Sequence, residues 1–393
     1  LFRRILLSPS PRFSPSLIRD LANAAFGRAD VLPFWFGESD QPTPSFIREA
    51  AMASLQAGET FYSENLGRPY LRQAISSYLT ELHGQPIPFE RIAVTASGDS
   101  ALMLASQLLL SPGDRVVTVT PLWPNAVEIP KIASAQVECV SLEVQRDRWA
   151  LPLQKLLDAL TPGTRMLVLN SPNNPTGWTI EREEQRILLE HCRRLGIWIL
   201  ADDVYERLIF RVGPEKEALR TAPSFLTLTD SDDRLIVVNS FSKAWTMTGW
   251  RVGWLVGPPS IFADLAPLIE YNTSCVPEFT QRAATLALEQ GEPYVLQQRA
   301  ELALTKDRLT AELRQLPGVD VPEADGAMYA FLRIAGQNDS MQLARKLIDE
   351  SGLGLAPGLA FGPEGEGWLR WCYAAKWSKN QLGLERLAKF LAR

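Results

Sequence analysis

Leu235 to Val256 read LIVVNSFSKAWTMTGWRVGWLV. Two short apolar runs, Leu235–Asn239 and Val252–Val256, bracket a polar turn that carries Ser240, Ser242, Lys243 and Arg251. Short continuous apolar runs of this kind mark strands buried on both faces. The pattern recurs at Ile92–Thr95, Arg115–Val119, Met166–Leu169 and Ile197–Ala201. Amphipathic stretches at Gln154–Leu160 and Glu181–Leu195 predict helices between them, and Ser100–Leu110 predicts another, stopped by Ser-Pro-Gly-Asp at 111–114. Upstream, Phe46–Ala57 and Arg68–His83 read as helices closed by Gly58 and Gly84. This alternation predicts an α/β fold whose large domain holds a mostly parallel sheet flanked by helices.

From Glu292 onward the character changes to long charged helices, with strands at Ala327–Arg333 and Trp368–Tyr373, which predicts a smaller α+β domain. The expected organisation is an N-terminal arm and part of the small domain over 1–44, the large domain over 45–290, and the C-terminal small domain over 291–393. Residues 8–16, SPSPRFSPS, read as a Pro/Ser-rich arm that is neither helix nor strand.

A chain of 393 residues accommodates two domains. Its net charge of −5 removes the broad electropositive surface that nucleic-acid binding relies on. Apolar residues at 46% against 22% charged exclude wholesale disorder. The longest apolar stretch, Ala101–Leu110, falls short of the roughly 20 residues a membrane span needs. The first residues lack the apolar core of a signal peptide. Cysteines scattered singly suggest reduced thiols, and a cytoplasmic, membrane-free protein is expected from them and from the short apolar stretches. Both histidines, His83 and His191, read as surface residues of polar helical stretches, so neither a metal site nor a Ser-His-Asp triad is expected. Cys139, Cys192, Cys275 and Cys372 form no CxxC and read as reduced thiols, three of them in apolar surroundings.

Dinucleotide and nucleotide fingerprints are missing: Gly352, Gly354 and Gly358 lie in a proline-bearing loop rather than between a strand and a helix. What remains are polar residues at the ends of the expected strands, where open α/β sheets bind ligands. Lys243 emerges among Phe241, Trp245 and Trp250; it is either a solvated surface lysine or a desolvated amine with lowered pKa, suited to bond a carbonyl carbon. Asn170 to Gly177, NSPNNPTG, is turn chemistry at a strand end. Asp202 ends the 197–201 run; it is a helix N-cap or a buried carboxylate that needs a cationic partner. Ser97-Gly98-Asp99-Ser100 joins a strand to a helix, and such a turn cradles phosphate with its N–H groups.

In this order, Ser-Gly-Asp, Asn-Asn-Pro-Thr-Gly, Asp-x-x-Tyr and Ser-x-Ser-Lys with an arginine eight residues on resemble the class I/II aminotransferases. Those are pyridoxal 5′-phosphate enzymes of the aspartate aminotransferase superfamily, fold type I. The resemblance runs from Gly37 to Arg370, and 240–254 is its most specific piece. It implies an enzyme that moves an amino group from an L-amino acid to a 2-oxo acid through a Lys243 aldimine, with Asp202 on the pyridine nitrogen. Tyr205 and Asn174 are then partners of the 3′-oxygen, and Trp123 stacks on the ring. Ser97, Gly98, Asp99, Ser240 and Arg251 hold the phosphate. Gly37, Asn174 and Arg370 meet the substrate carboxylate. Tyr62 crosses to a neighbour's cofactor, which implies a homodimer with shared sites. The alternative on the same scaffold is a C–S β-lyase or other chemistry at the α- or β-carbon. A non-enzymatic cofactor-binding regulator is disfavoured by the negative charge and the lack of a helix-turn-helix.

Two departures stand out: Asp99 brings a carboxylate to the phosphate loop, where its side chain is expected to cap the helix or point away, and Glu38-Ser39-Asp40 varies a common Gly-Glu-Pro-Asp segment. No second arginine for a side-chain carboxylate is assignable. Trp35, Phe36, Trp123, Trp245 and Tyr329 are candidates to line an apolar side-chain pocket.

Overall fold

The computed structural model describes residues 15–211 and 219–393. Most of the Pro/Ser-rich arm lies outside them; its last residue, Ser16, caps a helix Leu17–Ala24 that the composition of the arm concealed.

Seven strands form the main sheet, in the order Ile92–Thr95, Gly253–Val256, Leu235–Ser240, Trp198–Asp202, Thr164–Asn170, Arg115–Thr120, Gln136–Ser141. Gly253–Val256 runs antiparallel to both its neighbours, and the remaining pairs are parallel. A mostly parallel sheet is thus what the apolar runs produce. Its three central strands are apolar on both faces, and Met166–Leu169, Ile199–Ala201 and Leu235–Val238 are each at most 2% exposed. Full burial of each such Leu, Ile or Val favours the fold by about 1.5–3 kcal/mol. The edge strand Gln136–Ser141 was not legible, because its polar residues face solvent on an open edge.

Register brings the polar ends together. Asn170 pairs with Asp202, Asp202 with Val238, and Ser240 with Gly253. The carboxyl ends of three parallel strands therefore open on one side, where the helix Gly98–Leu109 also begins.

A second, antiparallel sheet has the order Val319–Asp320, Tyr329–Ile334, Trp368–Cys372, Ala356–Pro357. Helices Glu292–Leu313, Ser340–Ser351 and Trp377–Leu391 pack around it. The N-terminal segment joins this layer, since Leu32–Pro33 pairs with Leu353–Gly354. The two sheets meet where Gly177, at φ +71°, accepts the N–H groups of Asp325 and Gly326.

Two sequence readings need correction. The His83 side chain is 1% exposed, not at the surface, and lies 3.4 Å from the buried Glu206 carboxyl. A polar helix end does not reveal that its last side chain turns inward. His191 is half-buried, its Nε2 2.9 Å from the Leu160 carbonyl. All four cysteines are unpaired; Cys192 and Cys372 are buried, Cys275 is half-buried and Cys139 is exposed. Among the described residues no helix is long and apolar enough to cross a membrane.

Candidate active site

A cavity of about 640 Å³ opens at the convergence of the strand ends, the Gly98–Leu109 helix start and the second sheet. Lys243 reaches into it from the turn after Leu235–Ser240. Its Nζ donates to the Gly37 carbonyl at 2.6 Å and lies 5.5 Å from the centre of the Tyr205 ring. Burial pushes this amine down to about 8, with the Arg370 charge adding to the effect against Cys372, Asp99 and Glu38.

The cavity floor is Asp202. It is 3% exposed, its carboxyl accepts a single hydrogen bond, from the Val204 N–H at 3.3 Å, and burial pushes it up to about 7. Asn170 donates to the Asp202 carbonyl at 3.0 Å and accepts the Asn174 N–H at 2.9 Å, so the Asn-Asn-Pro-Thr-Gly turn is tied to the floor. Tyr205 shares a 2.6 Å hydroxyl contact with Tyr329 of the second sheet. Trp123 stands on the wall, its backbone N–H donating to the Asn174 backbone carbonyl at 2.9 Å.

One end of the cavity gathers a helix start, two serine hydroxyls and an arginine. Ser97 sits at φ 124°, a conformation rare outside glycine, and its hydroxyl accepts the Ser100 N–H at 3.1 Å. Gly253 admits no side chain, because a Cβ there would lie 2.9 Å from the backbone of both Ser97 and Gly98. Ser240 and Ser242 join hydroxyls at 2.8 Å. Arg251 pairs with Asp99 at 3.0 Å, and Asn125 donates to the other Asp99 oxygen at 3.1 Å. The Asp99 side chain therefore neither caps the helix nor points away: Ser97 already caps it, and the carboxylate takes the Arg251 guanidinium instead.

At the opposite end Arg370 is 2% exposed. One nitrogen donates to Asn174 Oδ1 at 2.8 Å, another to the Trp35 carbonyl, and Nε has no partner among the described residues. The guanidinium carbon lies 4.5 Å from the Tyr329 ring centre and 4.8 Å from that of Phe361, and such stacking favours the charge.

A model of the class I and II aminotransferases matches residues 29–389. The chain belongs to that family. It is similar to an aspartate aminotransferase of Pyrococcus horikoshii, 32% identical over 96% of this chain and 94% of that protein. It is also similar to an arginine–pyruvate transaminase of Pseudomonas aeruginosa, 33% identical over 90% and 87%. Among solved structures, an aspartate aminotransferase of Thermotoga maritima superposes with a TM-score of 0.87 at 29% identity, covering 97% of this chain and 98% of that one. The fold expectation and the reading as an aminotransferase both stand.

In this aminotransferase the cavity gathers Gly37, Gly98, Asp99, Trp123, Asn174, Asp202, Tyr205, Ser240, Lys243, Arg251 and Arg370, with Ser97 just behind. Tyr62 does not join them; it is 87% exposed on the surface, next to Phe61 at 81%. Of the five aromatic candidates, Trp35, Phe36, Trp123 and Tyr329 line the cavity. Trp245 does not. It is core, 5.1 Å from Phe241 and 5.6 Å from Tyr78 between ring centres, because the turn after Lys243 folds back beneath the sheet. Sequence reasoning missed Arg19, Asn125 and Asn170, which also reach the cavity. Arg19 comes from the Leu17–Ala24 helix and lies over Phe36 at 5.2 Å. Ser16 directly before the apolar positions Ile18, Leu21 and Ala22 was the cap signal that marks this helix.

Proposed function

We propose that this aminotransferase uses pyridoxal 5′-phosphate to move an amino group from an L-amino acid to a 2-oxo acid. The observation that carries the reading is the Lys243 amine, pushed down to about 8 and standing between two unlike ends of one cavity. On one side Asp202 is a buried carboxyl with no cation within 4 Å among the described residues, which suits a ligand N–H⁺. On the other, Arg251, the start of the Gly98–Leu109 helix and two serines suit a dianion. A ligand with an aldehyde between a basic ring nitrogen and a phosphate meets all three. When bound, it supplies a carbonyl for amine exchange and a protonated ring that accepts electrons from the substrate α-carbon.

The chain's own residues then divide the work. Lys243 Nζ would hold the aldehyde end of the ligand, and as an amine beside the substrate α-carbon it would take up the proton that leaves and return it. Asp202 would keep the ring nitrogen protonated. Tyr205 and Asn174 would hold the phenolic oxygen, and Trp123 would cover the ring. Ser97, Gly98, Asp99 through its N–H, Ser240 and Arg251 would hold the phosphate. Arg370 grips the substrate carboxylate with two parallel N–H groups, assisted by the Gly37 backbone and Asn174. Tyr62, exposed beside Phe61, serves the site of a second copy, so the working form is a homodimer. The cofactor domain is 45–290, with 1–44 and 291–393 forming the remainder, and the enzyme works in the cytoplasm.

The test is a single-turnover assay on cofactor-loaded protein with aspartate, arginine and aromatic amino acids, and no oxo-acid acceptor. One equivalent of 2-oxo acid per site, then arrest, is the expected outcome, with Lys243→Ala giving none. Continued release of ammonia over many turnovers would overturn the reading in favour of a lyase.

A further inference from the structure

Directly behind the cavity lies a second layer of buried polar side chains, each the chain neighbour of a residue in the site. Asp203 follows Asp202, Glu206 follows Tyr205, and Asn239 precedes Ser240; their exposures are 3%, 3% and 4%. Glu206 has no lysine or arginine within 4 Å among the described residues, an expensive arrangement unless its oxygens are well used. Its Oε1 accepts from Asn239 Nδ2 at 2.6 Å. Its Oε2 faces His83 Nε2 at 3.4 Å and Thr221 Oγ1 at 3.5 Å.

A carboxylate only accepts hydrogen bonds, so it dictates which end of the Asn239 amide faces it. The NH₂ must point to Glu206, and the carbonyl oxygen is thereby turned to the Ser240 N–H, which it accepts at 2.7 Å. Ser240 is the hinge of the anion end: its Oγ accepts the Ser242 N–H at 3.1 Å and meets the Ser242 hydroxyl at 2.8 Å, one residue before Lys243.

We propose that Glu206, acting through Asn239, is a positioning residue for the phosphate end of the cofactor site: it locks the Asn239 amide in the orientation that fixes Ser240 and Ser242 in the cavity wall. The inference rests on the reading that pyridoxal phosphate occupies this cavity. Neither residue touches the ligand, so their effect must be transmitted along the backbone of one strand end. Asp202, at the end of the neighbouring strand, and Tyr205, in the turn that follows it, keep their own contacts when the relay is cut.

The experiment compares binding of pyridoxal phosphate with that of pyridoxal, which lacks the phosphate, to cofactor-free wild type, Glu206→Ala, Asn239→Ala and Glu206→Gln. Loss of one hydrogen bond made by a charged group weakens pyridoxal phosphate binding by about tenfold or more in both alanine variants. Pyridoxal binding stays within about twofold, since Asp202, Tyr205 and Lys243 are unaltered. Glu206→Gln still offers Asn239 an acceptor oxygen and recovers most of the loss. Equal weakening of both ligands makes Glu206 a general structural residue and overturns the proposal; so does unchanged affinity for pyridoxal phosphate. If the alanine variants do not fold, Asn239→Ser replaces them: it removes the amide relay while keeping a small polar side chain, and the same two outcomes decide. A wild-type protein that binds neither ligand would instead refute the cofactor reading.

Discussion

Asp202→Asn should stabilise the cofactor-free protein at pH 8 while abolishing its use. Asp202 is buried without a cationic partner among the described residues, and burial pushes its carboxyl from an ordinary 3.8 up to about 7. Between those two values the folded chain holds a proton that the unfolded chain has released, so stability falls as pH rises through the window. Above pH 7 the whole cost stands, about 4 kcal/mol at 1.36 kcal/mol per pH unit. Asparagine never ionises and still accepts the Val204 N–H. Over 393 residues the unfolding entropy is roughly 0.8 kcal/mol per degree, so the variant should melt about 5 °C higher at pH 8. At pH 5 the advantage should narrow to about 2 kcal/mol, roughly 2 °C. Scanning calorimetry of the cofactor-free pair at both pH values reads this directly. Saturating pyridoxal phosphate should then erase the gain, because Asp202 acquires the partner it lacks. A variant that melts at or below wild type at pH 8, or with the same offset at both pH values, refutes the account of Asp202 as an unpartnered buried acid.

The Lys243 amine should react with free pyridoxal in a rate that rises through a midpoint near 8; stopped-flow absorbance against pH measures it. About a tenth of the molecules carry a neutral amine at pH 7, against a few in ten thousand for an ordinary lysine. Arg370→Gln should raise that midpoint, because the arginine charge disfavours the ammonium form, and a midpoint above about 10 in wild type would contradict the burial argument. Asp99→Asn should tighten pyridoxal phosphate binding about threefold at low salt, by freeing Arg251 from its 3.0 Å pair, with the gain fading at high salt. Weaker binding would mean that Asp99 aligns Arg251 rather than competing for it.

The sheet was legible because its inner strands are apolar on both faces, and a run such as Met166–Leu169 has few alternatives in a chain of this composition. The strand direction of Gly253–Val256 was not legible, since an apolar run carries no polarity. Asp202, Asn174 and Lys243 were readable through their motifs, whose turns are short and local. Asn170 was read only as the first residue of a turn; the structure makes it the last residue of its strand, where its amide ties the turn to Asp202. Arg19 is brought to the cavity by tertiary packing of a helix of eight residues, which no local spacing ties to the sheet. His83 and Trp245 failed for the same reason: helix or turn polarity gives the average exposure of a segment, whereas burial is decided by the partner that packs over one side chain.

The reversed strand Gly253–Val256 has a consequence for how the lysine turn can change. Ser240 and Gly253 are register partners, so the segment between them leaves the sheet and re-enters it at adjacent positions. A parallel pair, by contrast, needs a connection that carries the chain back to the far end of the sheet, as the helix Arg182–Leu195 does between Thr164–Asn170 and Trp198–Asp202. Residues 241–252 thus form a clasp hung from two hydrogen-bonded strands, with Phe241, Trp245 and Met247 sunk in the core and Thr43 hydrogen-bonded to Thr246 and Trp250. Change around the amine is thereby confined to the few positions of the turn that are not packed, such as Gly249, while the crossover helices stay where they are.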